Sequence, residues 1–219
     1  KNSGTMGKQN DLNNNKESFV VGLSNTVSND SQSFVMGTSN TTKYNTNNTV
    51  LGNLQDISGG TNLLVSGKSN TVEGGLNNMI TGSSHNVTDC SDVIISGSTN
   101  TVSGSNQSFI NGKQNAVNNV YAGMAYGAIN SLKSSDKSLI GGANNKIEGG
   151  NTNVALGQSN DISNSIITMA FGSSNVIKNN SNESIALGKL NTIDSVNHGI
   201  AMGYKADVSG DTRFALGSE

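Results

Sequence analysis

Apolar residues return along this chain with a period that fits neither a helix nor a lone amphipathic strand. In the stretch ESFVVGLSNTVSNDSQSFVMGTSNTT, which starts at Glu17, three apolar residues run into a glycine. Polar residues follow, one aliphatic residue interrupts them, and the block then returns. The glycines of this phrase fall at Gly7, Gly22, Gly37, Gly52, Gly67, Gly82, Gly97, Gly112, Gly127, Gly142, Gly157 and Gly172, each 15 residues after the last. The next interval is 16, to Gly188, followed by 15 to Gly203 and 14 to Gly217. These 15 copies cover nearly all of the chain. A fixed period of this kind is the signature of a repeat architecture.

Each copy has the same grammar. Two before the glycine, the residue is small and aliphatic from the second copy on, from Val20 and Val35 to Ala201 and Ala215. Three before, it is large and apolar in 13 of those 14 copies, Thr49 being the exception. Three after, it is Asn in 11 of 14 copies, with Gln55, His85 and Ala206 departing. Five after, it is aliphatic in 13 of 14, with Thr42 departing. No helical spacing runs through the copies, and the β-branched triplet before each glycine predicts a short strand. The aliphatic residue five after predicts a second strand. A turn joins the two, where glycine supplies a position without Cβ and asparagine tolerates the left-handed conformation. A second turn, in segments such as EGGLNN, EGGNTN and SNDSQS, closes a flattened coil of two strands and two turns. Coils stacked strand on strand at about 4.8 Å would build a rod roughly 70 Å long. The expected fold is therefore all-β, a parallel β-solenoid of about 15 coils in one repetitive domain spanning 1–219. The asparagine row is expected to stack into a ladder of amides that serves architecture.

Composition narrows this picture. The chain has no Pro and no Trp, only 4 % aromatic residues and 32 % hydrophobic ones, so a single thick core is not expected. The net charge is −2 and the pI about 5.7, which leaves no basic patch for nucleic acid. No apolar run approaches the roughly 20 residues that span a bilayer, so no membrane contact is expected within the sequence. Cys90 is the only cysteine and is read as a small residue of the coil. The sequence opens and closes in mid-phrase, and is read as a fragment of a longer protein.

The two apolar rows before the glycine have different destinations. A strand alternates its faces, so residues two before and three before point to opposite sides. The small row fits the narrow coil interior. The large row leaves a strip along the outside that needs a cover. Its members Phe19, Phe34, Leu64, Met79, Ile94, Phe109, Met124, Leu139, Met169 and Phe214 are candidates for a subunit interface.

The phrases DTRFALG, ESIALGKLNT and HGIAMGYKA resemble the SVAIGxxA repeats of YadA-like head domains from trimeric autotransporter adhesins of Gram-negative bacteria. The resemblance covers essentially the whole chain and is strongest in the last five copies, at Ala155, Ala170, Ala186, Ala201 and Ala215. It implies a left-handed parallel β-roll and a homotrimer held beyond the outer membrane on a stalk outside this sequence. It also implies adhesion to host surface or matrix proteins: collagen, fibronectin, receptors of the carcinoembryonic-antigen type, or the same protein on other cells. Two departures are plain. The coils are 15 rather than about 14 residues, and Asn stands where the family commonly has Ala or Ser.

Enzyme chemistry needs converging polar groups, and none is legible. His85 and His198 lie in distant copies, and His85 is read as a turn residue in an asparagine slot. No HExxH, CxxC, GxSxG or P-loop pattern occurs, and no cofactor or metal is expected. Recognition is instead expected where the repeat is broken outward: at Tyr44 and Leu54, at Val120, Tyr121 and Ile129, and at Leu190. Tyr204 and Arg213 lie near the end of the sequence. A phage tail-fibre shaft that binds a bacterial surface is the alternative reading. An ice-binding solenoid, suggested by the recurring Thr26, Thr41, Thr71, Thr101 and Thr192, is a remote one because charged residues interrupt that row.

Overall fold

In a computed structural model, residues 2–210 and 213–218 are described. Among them there is no helix, and the chain is a parallel β-solenoid of about 14 turns. Two compact units are present, Lys1–Gln107 and Ser108–Glu219. In the first unit, five-residue strands from Gly4–Lys8 to Ile94–Ser98 stack in chain order, beside a second stack of three-residue strands from Asp11–Asn13 to Thr101–Ser103. The second unit repeats this plan. Its long strands run from Phe109–Lys113 to Phe214–Gly217, and its short ones from Ala116–Asn118 to Asp207–Ser209. The pairings keep the period of the sequence: Phe19 faces Phe34, Val20 faces Val35 and Gly22 faces Gly37.

The coil spanning 19–33 shows why the residues lie where they do. Phe19–Leu23 forms the first side, and Val20 alone among its side chains is fully buried. The phrase glycine lies inside this strand rather than in the turn. Gly22 has φ +129°, and a Cβ there would sit 1.9 Å from the carbonyl oxygen of Gly37 in the next coil. Side chains are excluded at this position by backbone conformation and by the closeness of the stacked backbone together. The turn comes next, and its left-handed residue is Ser24, with φ +55°. The following Asn25 is not the left-handed residue; it turns inward and is fully buried. Thr26–Ser28 makes the second side, with Val27 buried.

The remaining stretch is not one turn, as the sequence suggested. Asn29 and Gln32 are both left-handed, with φ +56°, and make two corners. Ser31 between them pairs with Thr46 of the next coil as an isolated parallel bridge. The coil therefore has a third, one-residue side, which the interior rows eight and eleven after the glycine flank; in this coil they are Asp30 and Ser33, both buried. These two rows share one space. Gly60 leaves room for Leu63, and a Cβ on Gly60 would lie 2.3 Å from Leu63 Cδ1. In the second unit the order is reversed: Val120 fills the space over Gly123, whose Cβ would lie 2.4 Å from Val120 Cγ1.

The 16-residue interval is absorbed at one corner. Asn179 and Asn180 are both left-handed, a pairing that the other described coils show only at the glycine pairs Gly74–Gly75 and Gly149–Gly150. Gly172 still faces Gly188 and Ala170 still faces Ala186. The 14-residue interval falls across 211–212, outside the described residues.

Candidate binding surfaces

Most polar groups of the interior are spent on each other. Asn145 illustrates the amide row. Its Nδ2 donates to Asn130 Oδ1 at 3.2 Å, to Gly141 O at 2.8 Å and to Gly157 O at 2.9 Å. Its Oδ1 accepts from Asn160 N at 2.9 Å and Asn160 Nδ2 at 3.0 Å. One amide thus joins three coils and satisfies backbone groups that are buried where the chain turns. His85 is a member of this row, fully buried, and not a surface turn residue. Its Nδ1 accepts from Asn100 N at 3.2 Å, and its Nε2 lies 3.1 Å from Thr81 O. That pattern requires the neutral ring with its proton on Nε2, and burial pushes its pKa down.

Cys90 is likewise interior, in the row of Asp30 and Ser105. Its Sγ–H donates to Thr88 O at 3.2 Å, and burial pushes the thiol pKa up. Among the described residues, no three His, Cys, Asp or Glu side chains are grouped so as to hold a metal ion. The short-strand face carries charge in stacked pairs: Glu148 takes Lys146 at 2.9 Å and Lys133 at 3.1 Å. The salt-bridging Lys146 and Lys133 hold the Glu148 carboxyl below the usual range. Exposed pairs of this kind contribute little to stability.

The outside carries the remaining candidates. On the long-strand face, the residues one and three before the glycine both point outward. Phe19 is 42 % exposed, and it stacks on Phe34 with ring centroids 6.2 Å apart. Met79, Ile94, Phe109, Met124, Met169 and Phe214 are also exposed, while Phe34, Leu64 and Leu139 are half-buried. Both units therefore present apolar side chains in rows on one face. The companion row one before the glycine is apolar in most coils but polar at Ser66, Thr81, Ser96 and Asn111. Beyond these, Tyr126 lies flat on Gly141, whose Cβ would fall 2.1 Å from the ring.

Four of the outward breaks in the repeat sit at corners. Tyr44, 60 % exposed, has φ +59° and lies under Lys43 Nζ at 4.9 Å from its ring centre. Leu54, Ile129 and Leu190 occupy the left-handed corner that Ser fills in many coils, with φ +56°, +59° and +60°, and all are exposed. Tyr121 is exposed on the third side, paired through its N–H with Asp136 Oδ1 at 2.9 Å. Val120 is a correction: at 2 % exposure it belongs to the core packing over Gly123 and has no place on an outer surface. Ile166 and Ile167 are among the exposed apolar residues that sequence reasoning missed. Ile167 is 50 % exposed with φ +58°. Aligning it with Asn47, Asn62 and Asn77, which hold the same corner, would have exposed the anomaly. Left-handed backbone is unfavourable for branched side chains, so these apolar corners are not what the coil alone would select. Tyr204 carries two lysines, Lys205 Nζ at 4.9 Å and Lys189 Nζ at 5.8 Å. Arg213 donates to Asn197 O at 2.6 Å.

No protein-family model matches the chain, and no curated protein matches it at a significant level.

Proposed function

We propose that this chain is part of a bacterial surface adhesin, a homotrimeric, left-handed β-roll head that binds host surface or matrix proteins. The carrying observation is the long-strand face. Its paired apolar rows are exposed in both units, although the coil interior is already filled by a separate small row. Exposed apolar rows in each unit, on a chain with 32 % hydrophobic residues, ask for a protein cover. Three copies packed on that face supply one, and the resemblance to YadA-like heads supports the number. In this reading the exposed corners at Tyr44, Leu54, Ile129 and Leu190, with Tyr121 on the third side, contact the receptor. Tyr with aliphatic neighbours suits the centre of a protein interface, and three copies per head make weak contacts effective through avidity.

Light scattering on a sizing column tests the assembly: the expected mass is three times 22.5 kDa. A stable monomer sinks the trimer and the adhesin reading with it. Beads coated with the trimer are then expected to hold to epithelial cells or matrix proteins. Tyr121→Ala is expected to weaken that hold without changing the trimer. Adhesion only to bacterial polysaccharide would replace the adhesin with a tail-fibre shaft.

A further inference from the structure

Two exceptions to the repeat meet inside the first unit. Thr42 is the one polar residue in the aliphatic row five after the glycine, and Asp30 is a fully buried carboxylate in the row eight after it. The coils on either side show what an amide does at the Asp30 position. Asn15 Oδ1 accepts from Asp30 N at 2.9 Å, and Asn15 Nδ2 donates to Val27 O at 2.8 Å. Asn45 Oδ1 accepts from Gly60 N at 2.9 Å, and Asn45 Nδ2 donates to Ile57 O at 3.1 Å. Asp30 keeps the first half of this pattern, with Oδ1 accepting from Asn45 N at 2.9 Å. It cannot keep the second half as a carboxylate. The residue that corresponds to Val27 and Ile57 in the strand register is Thr42. An ionised Asp30 directs an acceptor oxygen to the place where its neighbours direct a donor.

The surroundings of Asp30 supply donors but no cation. Oδ1 and Oδ2 receive Asn45 Nδ2 at 3.3 and 3.4 Å, both long bonds. The Thr42 hydroxyl favours the carboxylate without reaching hydrogen-bond geometry, and its Oγ1 is buried with no other partner. The charged residues on the adjoining stretches, Lys16, Glu17 and Lys43, are all exposed on the outside of the coil. Burial is the largest influence on the group and pushes its pKa up, against the smaller opposing pull of Asn45 and Thr42.

We infer that Asp30 and Thr42 form a proton-responsive pair: the neutral carboxyl completes the interior ladder of the first unit, and the ionised one leaves it a donor short, with Thr42 as partial compensation. Protonation puts an O–H on Asp30 where Asn15 and Asn45 carry an N–H, aimed at the main-chain oxygen or hydroxyl of Thr42. The sign follows. A carboxyl that holds its proton more tightly when folded makes the fold more stable in acid. That gain is lost as pH rises from the ordinary carboxylate range through the folded value.

The test is thermal unfolding of the protein as purified, with hydrogen exchange over 26–60 as the local readout, at about pH 7.5 and about pH 4.5. Asp30→Asn is expected to raise the unfolding midpoint by several degrees at the higher pH. It should slow exchange there, and its advantage should shrink in acid. An equal advantage at both pH values, or a loss at the higher one, overturns the proposal. Thr42→Val gives the second arm. It is expected to destabilise the natural chain more at neutral pH than in acid, and to stabilise the Asp30→Asn background. If Thr42→Val has the same effect in both backgrounds, the two residues are not a pair and the inference fails.

Discussion

A single buried histidine shows how strictly the residues of this coil are set. His85 imitates an asparagine by accepting at Nδ1 and donating from Nε2. A proton on Nδ1 would face the Asn100 N–H and break the row. Its folded pKa lies below the ordinary imidazole value because of burial. The unfolded chain therefore binds the proton more readily. The stability His85 contributes is full above the unfolded pKa of about 6.5 and is lost as pH falls through the lower folded value. His85→Asn is expected to flatten the unfolding midpoint between about pH 7 and pH 5, while the natural chain loses stability over the same window. The sign is opposite to that expected of Asp30, so the two variants separate the contributions. At Asn145, replacement by Ala removes the amide's bonds to the Gly141 and Gly157 carbonyls, which stay in the strand ladder, and leaves the Asn160 N–H without its acceptor. Unpaired buried groups of this kind cost about 1–3 kcal/mol each, which denaturant unfolding would read as a lower midpoint.

Each side of the coil is made by its neighbours as much as by its own residues. A three-residue strand such as Thr26–Ser28 has little intrinsic stability. It persists because strands above and below supply its hydrogen bonds and Val27 joins a column of buried aliphatics. The third side depends on shared volume. Gly123→Ala is expected to destabilise the second unit, because the new methyl meets Val120 Cγ1 and Leu132 Cδ2. Adding Val120→Ser should restore most of that loss, since Ser105 with Ser108 shows two small residues filling the same pair of rows. A double-mutant cycle measures this coupling. Additive effects would mean the two rows do not share a space. The extra residue at Asn179 and Asn180 makes the complementary point: a corner accepts an insertion while both strand stacks hold register.

At the scale of the whole molecule, each unit has a thin interior and exposed apolar rows on its long-strand face. The two are linked, since a coil this narrow can bury only one row of its long strand. Phe19→Glu with Phe34→Glu leaves that interior untouched. If the proposed trimer packs on this face, the double variant keeps its β circular dichroism while the solution mass drops toward 22.5 kDa. Retention of the larger mass would place the subunit contacts on another face. No helix among the described residues is long and apolar enough to cross a membrane.

Much of this was legible in the sequence. The period of the glycines, the alternation of small and large apolar residues, and the uniform asparagine row follow from steric and hydrogen-bonding rules that act within one or two coils. They determined the all-β parallel solenoid, the register of its strands and the outward direction of Phe19 and Phe109. The third side of the coil was decided only in three dimensions. Its two corners and one bridging residue have no apolar signature, and Gly60, Leu63, Val120 and Gly123 look irregular until the volumes are seen to be shared. For the same reason Val120 read as an outward break and proved to be core. His85 read as a turn, because its row was assigned to the left-handed corner that Ser84 occupies. Burial is a property of what stacks above and below a residue, 15 positions away in the chain, so the local sequence could set the strands but not the inside of their corners.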